Sequence, residues 1–319
     1  MMPQNLTIDF WDVGQGDATV IWLPDDALVV IDTGPLSSPL VNWFRRKKRH
    51  VRDFLITYND ADHIGALPSI LNLTKEGVLT FDRIRMVPDR GYEDDTTKSI
   101  CSPLCLYEDR TDFLGQGAIV WEDANLDLKL RAVHPSVIQV MARKGVNQKS
   151  AIIILEHQKK VLVCWPGDAK FSSVAERLPN QKTEYLVGPH HGGPEDREYA
   201  KFSSNVACVS VNQSLISAGS LNSHGHPDPN FLRLLQEHHQ CQVTCTEITS
   251  KCDAAVASSG NHVFDGTQAL GLEPSPTGTR CRGCFRLVWN SESAALELNA
   301  KHFEFHQARI DELAHPLCK

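Results

Sequence analysis

The segment Thr57–Gly65 constrains the fold more than any other part of the chain, because a turn dense in polar groups follows a strand-like apolar stretch. It reads Thr-Tyr-Asn-Asp-Ala-Asp-His-Ile-Gly and comes directly after the apolar residues 54–56. Asp60, Asp62 and His63 supply oxygen and nitrogen donors, which suit a metal ion when they converge on one point. A solvated acidic turn is the competing interpretation of this segment taken alone.

Two further predicted strands also end in residues of metal-ligand type. The strand at 160–164 leads to Asp168, and the strand at 185–187 leads to His190 and His191. A single aspartate at a strand end is usually a turn or helix-capping residue, but three such ends favour one shared site. Of the two histidines, His190 is preferred because it is nearer to its strand. The predicted metal ligands are Asp62, His63, Asp168, His190 and His191.

Short motifs follow one another over residues 6 to 248. They are Phe10–Ala18, Val30–Gly34, Asp60–Gly65, Asn147 with Ser150, Gly167–Asp168, His190–Gly192 and Gly225–Pro227. This ordered set resembles the metallo-β-lactamase fold, and specifically the soluble domain of its ComEC-type competence-protein branch. The resemblance implies an α/β protein built as a metallo-β-lactamase-like αββα sandwich, with one or two divalent metal ions in its cleft.

Tyr58 departs from this resemblance, because the family's metal loop normally opens with a histidine. A phenol has a reference pKa of about 10 and is a poor metal ligand near neutral pH. Either one of two adjacent metal positions is weakened, or Tyr58 has another role at the site. Asp60 is expected to act as a base or to orient the site, and Asp32 to hold the metal loop by hydrogen bonds. The predicted catalytic residues are Asp60, Asp62 and Tyr58.

A carboxylate-rich donor set favours Mn²⁺, Mg²⁺ or Fe, with Zn²⁺ as an alternative. A bound ion lowers the pKa of its water toward about 7, so the prediction is hydrolysis by a metal-activated water. A phosphodiester (nucleic acid or a nucleotide) is the favoured substrate, which makes the protein a phosphodiesterase or nuclease. The basic run Arg45–His50 is expected either to complement a helix dipole or to contact phosphate near the cleft. The predicted substrate contacts are His226, Lys149 and Asn147.

Two other functions remain open. The first is a catalytically impaired subunit that binds protein partners in a multi-protein bacterial system, such as antiviral defence. Tyr58 favours it, as do the insertion or long loop predicted at about 88–125 and the extension at the C-terminus. The second is hydrolysis of carboxylic esters or amides, since this fold hosts many chemistries.

Four cysteines near the C-terminus form a separate pattern of C-x6-C, a gap of 28 residues, and C-x2-C. The last pair has the spacing of half a zinc ribbon, and the gap is too polar to pack a core of its own. The pattern predicts a structural Zn²⁺ clip, the alternative being buried thiols. Residues 1–248 are thus expected to form the main domain, and 249–319 a small cysteine-rich extension packed on it. The clip ligands are Cys245, Cys252, Cys281 and Cys284.

Composition favours a cytoplasmic protein without a membrane segment. Among 319 residues, no apolar run approaches the ~20 needed to span a bilayer. No export signal is recognised at the start of the chain, so the ten cysteines are expected to be reduced thiols. The net charge of −7 argues against a general nucleic-acid coat.

Overall fold

The computed structural model describes residues 5–87, 102–141, 146–194, 209–259, 270, 272, 278–279, 281, 283–298 and 313. Within these residues the strands are β1 (Thr7–Phe10), β2 (Ala18–Trp22), β3 (Leu28–Thr33), β4 (Arg49–Ile56), β5 (Leu79–Met86), β6 (Thr111–Phe113), β7 (Ile119–Asp123), β8 (Leu128–His134), β9 (Ile152–His157), β10 (Lys160–Trp165), β11 (Lys182–Val187), β12 (Ser210–Ile216), β13 (Gln242–Cys245), β14 (Phe285–Asn290) and β15 (Ala295–Leu298).

The described helices are mostly short. They are α1 (Leu40–Arg46), α2 (Ala61–Ile64), α3 (Leu67–Asn72), α4 (Val137–Met141), α5 (Phe171–Arg177), α6 (Pro229–His239) and α7 (Ser250–Ser259), with 3₁₀ segments at Ser102–Arg110, Val146–Lys149 and Pro189–Gly192. Asp228 caps α6, accepting hydrogen bonds from the backbone N–H groups of Asn230 and Phe231. That cap fixes the point at which the preceding loop ends.

The strands form two sheets, in the orders β15-β14-β1-β2-β3-β4-β5-β6 and β13-β12-β11-β10-β9-β8-β7. In the first sheet, β3 to β6 pair in parallel and the other neighbours are antiparallel. In the second, β10 to β13 are parallel and β7 to β10 antiparallel. Each sheet therefore has a parallel half, whose strands end at a common edge.

The two sheets pack face to face, with helices on their outer surfaces. Strand β3 shows why, since Val29 and Ile31 join the core between the sheets while Leu28 and Val30 join the core under α1 and α3. A strand buried on both faces reads as a continuous apolar run. Helices α5 and α6 cover the second sheet in the same way. The predicted α/β sandwich of layers αββα is confirmed.

The region predicted as an insertion or long loop is partly regular structure. Of residues 88–125, positions 88–101 lie outside the described residues. The remainder holds a 3₁₀ segment and the strands β6 and β7, which pair with β5 and β8. Both are the last strands of their sheets. Such edge strands need not be apolar on both faces, which is why their polar composition resembles a loop.

The described strands after residue 284 are part of the first sheet. Strand β14 pairs with β1, placing Phe285 opposite Phe10, and β15 pairs with β14. The buried Asp9 carboxylate accepts hydrogen bonds from the Arg286 side chain, at 2.5 and 2.8 Å, and from Trp22 Nε1 at 2.8 Å. Residues 285–298 thus extend a sheet of the main domain, while the division at 248 and 249 stays a prediction.

The basic run Arg45–His50 lies far from the metal loop Thr57–Gly65. The expectation that it forms a phosphate-contacting edge beside the cleft was therefore wrong. Strand β4 begins at Arg49 and runs for 8 residues to Ile56, just before that loop. At ~3.3 Å per residue its two ends are about 23 Å apart. The Arg49 guanidinium instead lies over the ring of Trp43, 3.6 Å from its centroid. The sequence could not show which end of the strand faces the site.

Among the described helices, none is both long and apolar enough to cross a bilayer.

Replacing Asp9 by alanine tests the attachment of β14. The change leaves the guanidinium of Arg286 and the indole N–H of Trp22 without their carboxylate, so the free energy of unfolding should fall by about 3 kcal/mol in urea denaturation. Asp112→Ala is the control: it removes a pair with Arg83 that is more than half exposed, and it should cost less than about 1 kcal/mol. Equal losses would contradict this role of Asp9.

Candidate metal centre

The parallel strands of both sheets deliver polar residues to one edge. Asp32 lies near the end of β3, and Thr57 follows β4. Asp168 follows β10 in the other sheet. The two sheets are joined here, because the backbone N–H of Ala151 donates to the carbonyl of Thr57 at 2.7 Å. The site is therefore built where the two sheets meet.

His63 is fully buried between carboxylates, with 0% of its surface exposed. Its Nδ1 lies 2.9 Å from Oδ2 of Asp32, and its Nε2 lies 2.9 Å from Oδ1 of Asp168. Oδ1 of Asp62 is 3.9 Å from the same Nε2. The backbone of His63 is also fixed, because the hydroxyl of Thr33 donates to the His63 carbonyl at 3.1 Å. Both nitrogens of this imidazole face acidic side chains.

His191 occupies an equivalent position but makes looser contacts. Its Nδ1 is 3.5 Å from Oδ1 of Asp17, and its Nε2 is 3.2 Å from Oδ2 of Asp62 and 3.6 Å from Oδ1 of Asp168. Only 1% of the residue is exposed, so in the described part of the chain both ring nitrogens face carboxylates in a buried environment. In the described part of the chain, Asp17, His63 and His191 form a group whose ligand atoms lie within 4.8 Å of one another, close enough to hold a metal ion.

Both imidazoles favour the charged form. Burial alone would lower their pKa values, but the carboxylates of Asp168 and Asp32 raise the pKa of His63 well above its usual range. For His191, Asp17, Asp62 and Asp168 also outweigh burial and raise the pKa to about 10. Positive charge on these rings is thus stabilised by the acidic groups around them.

The inner carboxylates show the reverse effect. Burial alone would raise their pKa values, but His63 and His191 hold the pKa of Asp168 at about 2. The same two imidazoles hold the pKa of Asp62 below its usual range. These acids therefore stay ionised, Asp168 almost fully buried and Asp62 with 30% of its side chain exposed. A buried cluster with this many carboxylates is stabilised by positive charge, whether from protons or from a metal cation.

Short hydrogen bonds tie the metal loop to the second sheet. Asp32 accepts from the Thr57 backbone N–H at 2.8 Å and from its hydroxyl at 2.5 Å. Ser150 donates to the Thr57 carbonyl at 3.2 Å and accepts from the Asp168 N–H at 3.0 Å. Burial raises the pKa of Asp32, although His63 opposes the shift. Asp32 thus contacts both the loop and its histidine.

His190, His226 and His224 line the more open side of the cluster. Nε2 of His190 is 3.8 Å from Oδ2 of Asp168, and its ring is 5.1 Å from that of His226. His226 is buried, and its Nδ1 makes no hydrogen bond within the described structure. Burial, followed by the charges of His190 and His191, lowers the pKa of His226 to about 4. Burial also lowers the pKa of His190, so His190 and His226 are neutral imidazoles outside the inner cluster formed by Asp17, Asp62, His63, Asp168 and His191.

The preference for His190 over His191 as a ligand does not match this geometry, since His191 is the one inside the cluster. Both residues have left-handed backbones, with φ of 48° and 55°. The chain therefore turns so that the second histidine, not the one nearer to the strand, points inward. Such backbone angles are rare for residues other than glycine, and the sequence gives no sign of them.

The other predicted site residues lie around the cluster. Tyr58 is buried, with its ring centroid 6.1 Å from that of His63 in an edge-on arrangement. Asp60 is exposed at the start of α2, where its carbonyl accepts from the N–H groups of His63 and Ile64. Asn147 and Lys149 are half-buried in the 3₁₀ segment next to Ser150. Their catalytic and substrate-binding roles stay predictions.

Asp17 is the residue that sequence reasoning missed. It belongs to the Phe10–Ala18 motif but precedes a strand, whereas the predicted ligands all follow the carboxyl ends of strands. Its N–H donates to the Asp62 carbonyl at 3.2 Å. A Cβ on Gly16 would lie only 2.4 Å from that same oxygen, so glycine is required for this approach. The glycines Gly14 and Gly16, just before Asp17, are the sequence feature that could have indicated this close approach.

The predicted zinc clip stays a prediction. In the described residues no three of the four cysteines bring their sulfur atoms within 4.8 Å of one another. Cys284 packs under the first sheet's helices, where its sulfur accepts from the Asp12 N–H at 3.2 Å. Cys252 and Cys281 pack in one small cluster, and the Cys281 N–H donates to the carbonyl of Thr246, the residue after Cys245.

The inner cluster fits a divalent metal ion. Two imidazoles and several ionised carboxylates form a mixed nitrogen and oxygen donor set of the kind that binds Zn²⁺, Mn²⁺ or Fe. Nε2 of His191 faces Asp62 and Asp168, so these groups together offer nitrogen and oxygen donors to one ion. Metal binding would thus offset the excess of negative charge in the cluster.

Comparison with known families agrees with this geometry. A family model described as the metallo-beta-lactamase superfamily matches residues 11–133. The matched stretch is less than half of the chain, and it indicates similarity to this superfamily. The matched region contains Asp17, Asp32, Asp62 and His63, but ends before Asp168. No curated protein matches the chain.

Several solved structures resemble the chain at low identity. Igni18, a metallo hydrolase from the archaeon Ignicoccus hospitalis KIN4/I, is 17% identical, with 75% of this chain and 94% of that chain covered and a TM-score of 0.46. A protein described as a metal-dependent hydrolase from Parabacteroides distasonis ATCC 8503 is 14% identical, with 75% and 92% covered and a TM-score of 0.41. A diphosphatase of the PhnP family is 13% identical, with 75% and 94% covered and a TM-score of 0.42.

Gly167→Ala tests how closely the loop of Asp168 approaches the metal loop. Gly167 has φ of +53°, and a Cβ there would lie 2.4 Å from Oγ of Ser150 and 2.5 Å from Oγ1 of Thr57. Gly77→Ala is the matched control, with φ of +72° and no atom within 4 Å of its Cβ. The control should cost about 1 kcal/mol for backbone strain, and Gly167→Ala about 1–3 kcal/mol more for the clash. Equal midpoints in urea would contradict the close approach.

Proposed function

We propose that this protein is a metal-dependent hydrolase acting on a phosphodiester. The observation that carries the proposal is the convergence of two buried imidazoles, His63 and His191, on the carboxylates of Asp62 and Asp168. His63 and His191, with Asp62 and Asp168 between them, are the proposed ligands. Asp32 holds His63 and Thr57 from outside.

A divalent ion held here would supply a Lewis acid and lower the pKa of a water molecule. The protein's own residues would do the rest. His190 and His226 line the open side, and burial lowers the pKa values of both. Neutral imidazoles can accept a proton or hydrogen-bond a substrate oxygen. Asp60 is exposed at the rim, where it can accept a proton.

The choice of a phosphodiester rests on three points. The motifs resemble the DNA-uptake branch of the fold, the carboxylate-rich donors suit Mn²⁺ or Mg²⁺, and Lys149 and Asn147 lie beside Ser150 near the cleft. The basic run no longer supports this choice, because it lies at the other end of β4. The motif resemblance and the residues of the site are therefore what supports a phosphodiester.

A catalytically impaired, partner-binding subunit is the second candidate, and Tyr58 favours it. Tyr58 is buried beside His63, at the position where the resemblance implies a histidine ligand. A protein that keeps the inner cluster but lacks this ligand can retain a structural ion without turnover. A role in a multi-protein bacterial system such as antiviral defence belongs to this candidate. Carboxylic ester or amide hydrolysis is a further substrate alternative.

Removing the inner carboxylates tests the metal site. Asp62→Ala and Asp168→Ala should each abolish stoichiometric binding of Mn²⁺ or Zn²⁺, measured by calorimetry and by metal content, because each removes a charged ligand. Asp53→Asn is the control: Asp53 is a buried carboxylate, 2% exposed and paired with Arg85 at 2.6 Å, remote from the cluster. It should lose stability but keep its metal. Normal metal content in the double variant of Asp62 and Asp168 would disprove the assignment.

Substitution of Tyr58 separates enzyme from scaffold. In a weakened two-metal centre, Tyr58→His should raise metal occupancy and the hydrolysis rate of a generic phosphodiester, bis(4-nitrophenyl) phosphate, in Mn²⁺ or Zn²⁺. In a one-metal enzyme whose phenol contacts substrate, Tyr58→Phe should slow turnover. Tyr107→Phe is the control, because it also removes a phenolic hydroxyl, but one that lies beside Thr74 and not beside a residue of the cluster. If metal content and hydrolysis respond to neither change and hydrolysis stays at background, the partner-binding function is correct.

A further inference from the structure

The two inner histidines are surrounded in the same way. Each has one carboxylate at Nδ1, which is Asp32 for His63 and Asp17 for His191. Each points Nε2 at the shared pair Asp62 and Asp168. The outer carboxylates differ in tightness, at 2.9 Å for Asp32 and 3.5 Å for Asp17. The cluster is thus two histidine–carboxylate pairs converging on two shared acids.

We infer that Asp17 is a positioning residue that holds Nδ1 of His191, so that Nε2 of this imidazole faces the ion between Asp62 and Asp168. The inference rests on the proposed metal function and deepens it, because it places Asp17 outside the ion and not among its ligands. A carboxylate at the far nitrogen of a ligating histidine fixes the ring orientation and the tautomer, and it raises the basicity of the ligand.

His191 needs such a partner because its backbone turn does not fix the ring. Three successive residues, His190, His191 and Gly192, have left-handed φ values of 48°, 55° and 74°. The turn packs closely, since a Cβ on Gly188 would meet Ile216 at 2.3 Å. This packing sets where the Cβ of His191 points, but the ring can still rotate about its side-chain bonds. The charge of Asp17 opposite Nδ1 favours one orientation.

Asp17 is itself held rigidly, and by the same loop that carries a ligand. Its N–H donates to the carbonyl of Asp62, and Gly16 leaves no room for a side chain against that carbonyl. The hydroxyl of Ser217 donates to the carbonyl of Gly16 at 2.5 Å. The Asp17 loop therefore sets the position of Asp62 through the backbone and that of His191 through the carboxylate.

The alternative is that Asp17 binds the ion directly, since it also belongs to the group within 4.8 Å. The two roles predict different properties for a variant protein that is saturated with metal. Loss of a ligand changes the coordination geometry of the bound ion, whereas loss of a positioning residue lowers affinity and leaves the geometry unchanged. Co²⁺ reports geometry through its visible absorption spectrum and so distinguishes them.

The experiment compares the full-length protein with Asp17→Asn, using Co²⁺ as the probe and Asp53→Asn as the matched control. The asparagine keeps size and an acceptor oxygen but removes the charge. Affinity for Co²⁺ should fall by about 10- to 100-fold, while the spectrum at saturation keeps its shape. Asp53→Asn should match the unmutated protein. Unchanged affinity, or a changed spectrum at saturation, would overturn the positioning role.

Imidazole nitrogen NMR shifts provide a second readout that needs no turnover. In the unmutated protein loaded with Zn²⁺, His191 should carry its proton on Nδ1, and the opposite tautomer would overturn the inference even if Asp17→Asn failed to fold. In the metal-free protein, Asp17→Asn should shift the His191 nitrogens and leave those of His63 unchanged. If the unmutated protein binds no metal, the proposed function fails, and the metal-free shifts still decide whether Asp17 holds His191.

Discussion

The burial of several carboxylates around two imidazoles is the constraint on which the rest of the structure depends. The first sheet and its loops supply Asp17, Asp32, Asp62 and His63, and the second supplies Asp168 and His191. These charges are buried, apart from the partly exposed Asp62, so they must be matched by groups from elsewhere in the fold. The pairs His63–Asp168 and His191–Asp62 both join residues of different sheets. Correct packing of the two sheets and assembly of the site are therefore the same event.

Backbone contacts make this assembly rigid. Gly16 and Gly167 lie where a side chain would collide with the opposite loop, and the hydroxyls of Thr57 and Ser150 connect the two loops between them. The apolar core between the sheets brings the strands together but does not set side-chain positions to fractions of an ångström. These short polar links do, which is what a metal site requires. A loss of stability at Gly167 and a loss of metal affinity therefore have a common physical origin.

The sequence predicts site residues that directly follow recognisable strands. It does not reveal residues that reach the site through contacts between segments distant in sequence. Asp168 and the Asp62–His63 pair could be found because strand ends are visible as apolar runs followed by polar turns. Asp17 was missed because it precedes its strand and reaches the site through a close backbone approach at Gly16. The zinc clip rests on sequence spacing, which does not show whether the sulfur atoms converge; in the described residues no three of them do. The sequence likewise predicts a loop where the edge strands β6 and β7 lie, because a strand with one exposed face lacks a continuous run of apolar residues.

The proposed metal binding and the proposed catalysis would depend on different layers of this site. The inner cluster is mostly buried, and its carboxylates are balanced by His63 and His191. The outer layer consists of Tyr58 beside His63 and of the neutral His190 and His226 on the open side. A scaffold protein would retain the inner layer, because unbalanced buried charge destabilises the fold, but it would not need the outer one. Among the described residues, Nδ1 of His226 makes no hydrogen bond, and an unsatisfied buried nitrogen is costly to maintain. A substrate that bound this nitrogen would offset the cost, which supports the proposed hydrolase function over the partner-binding one.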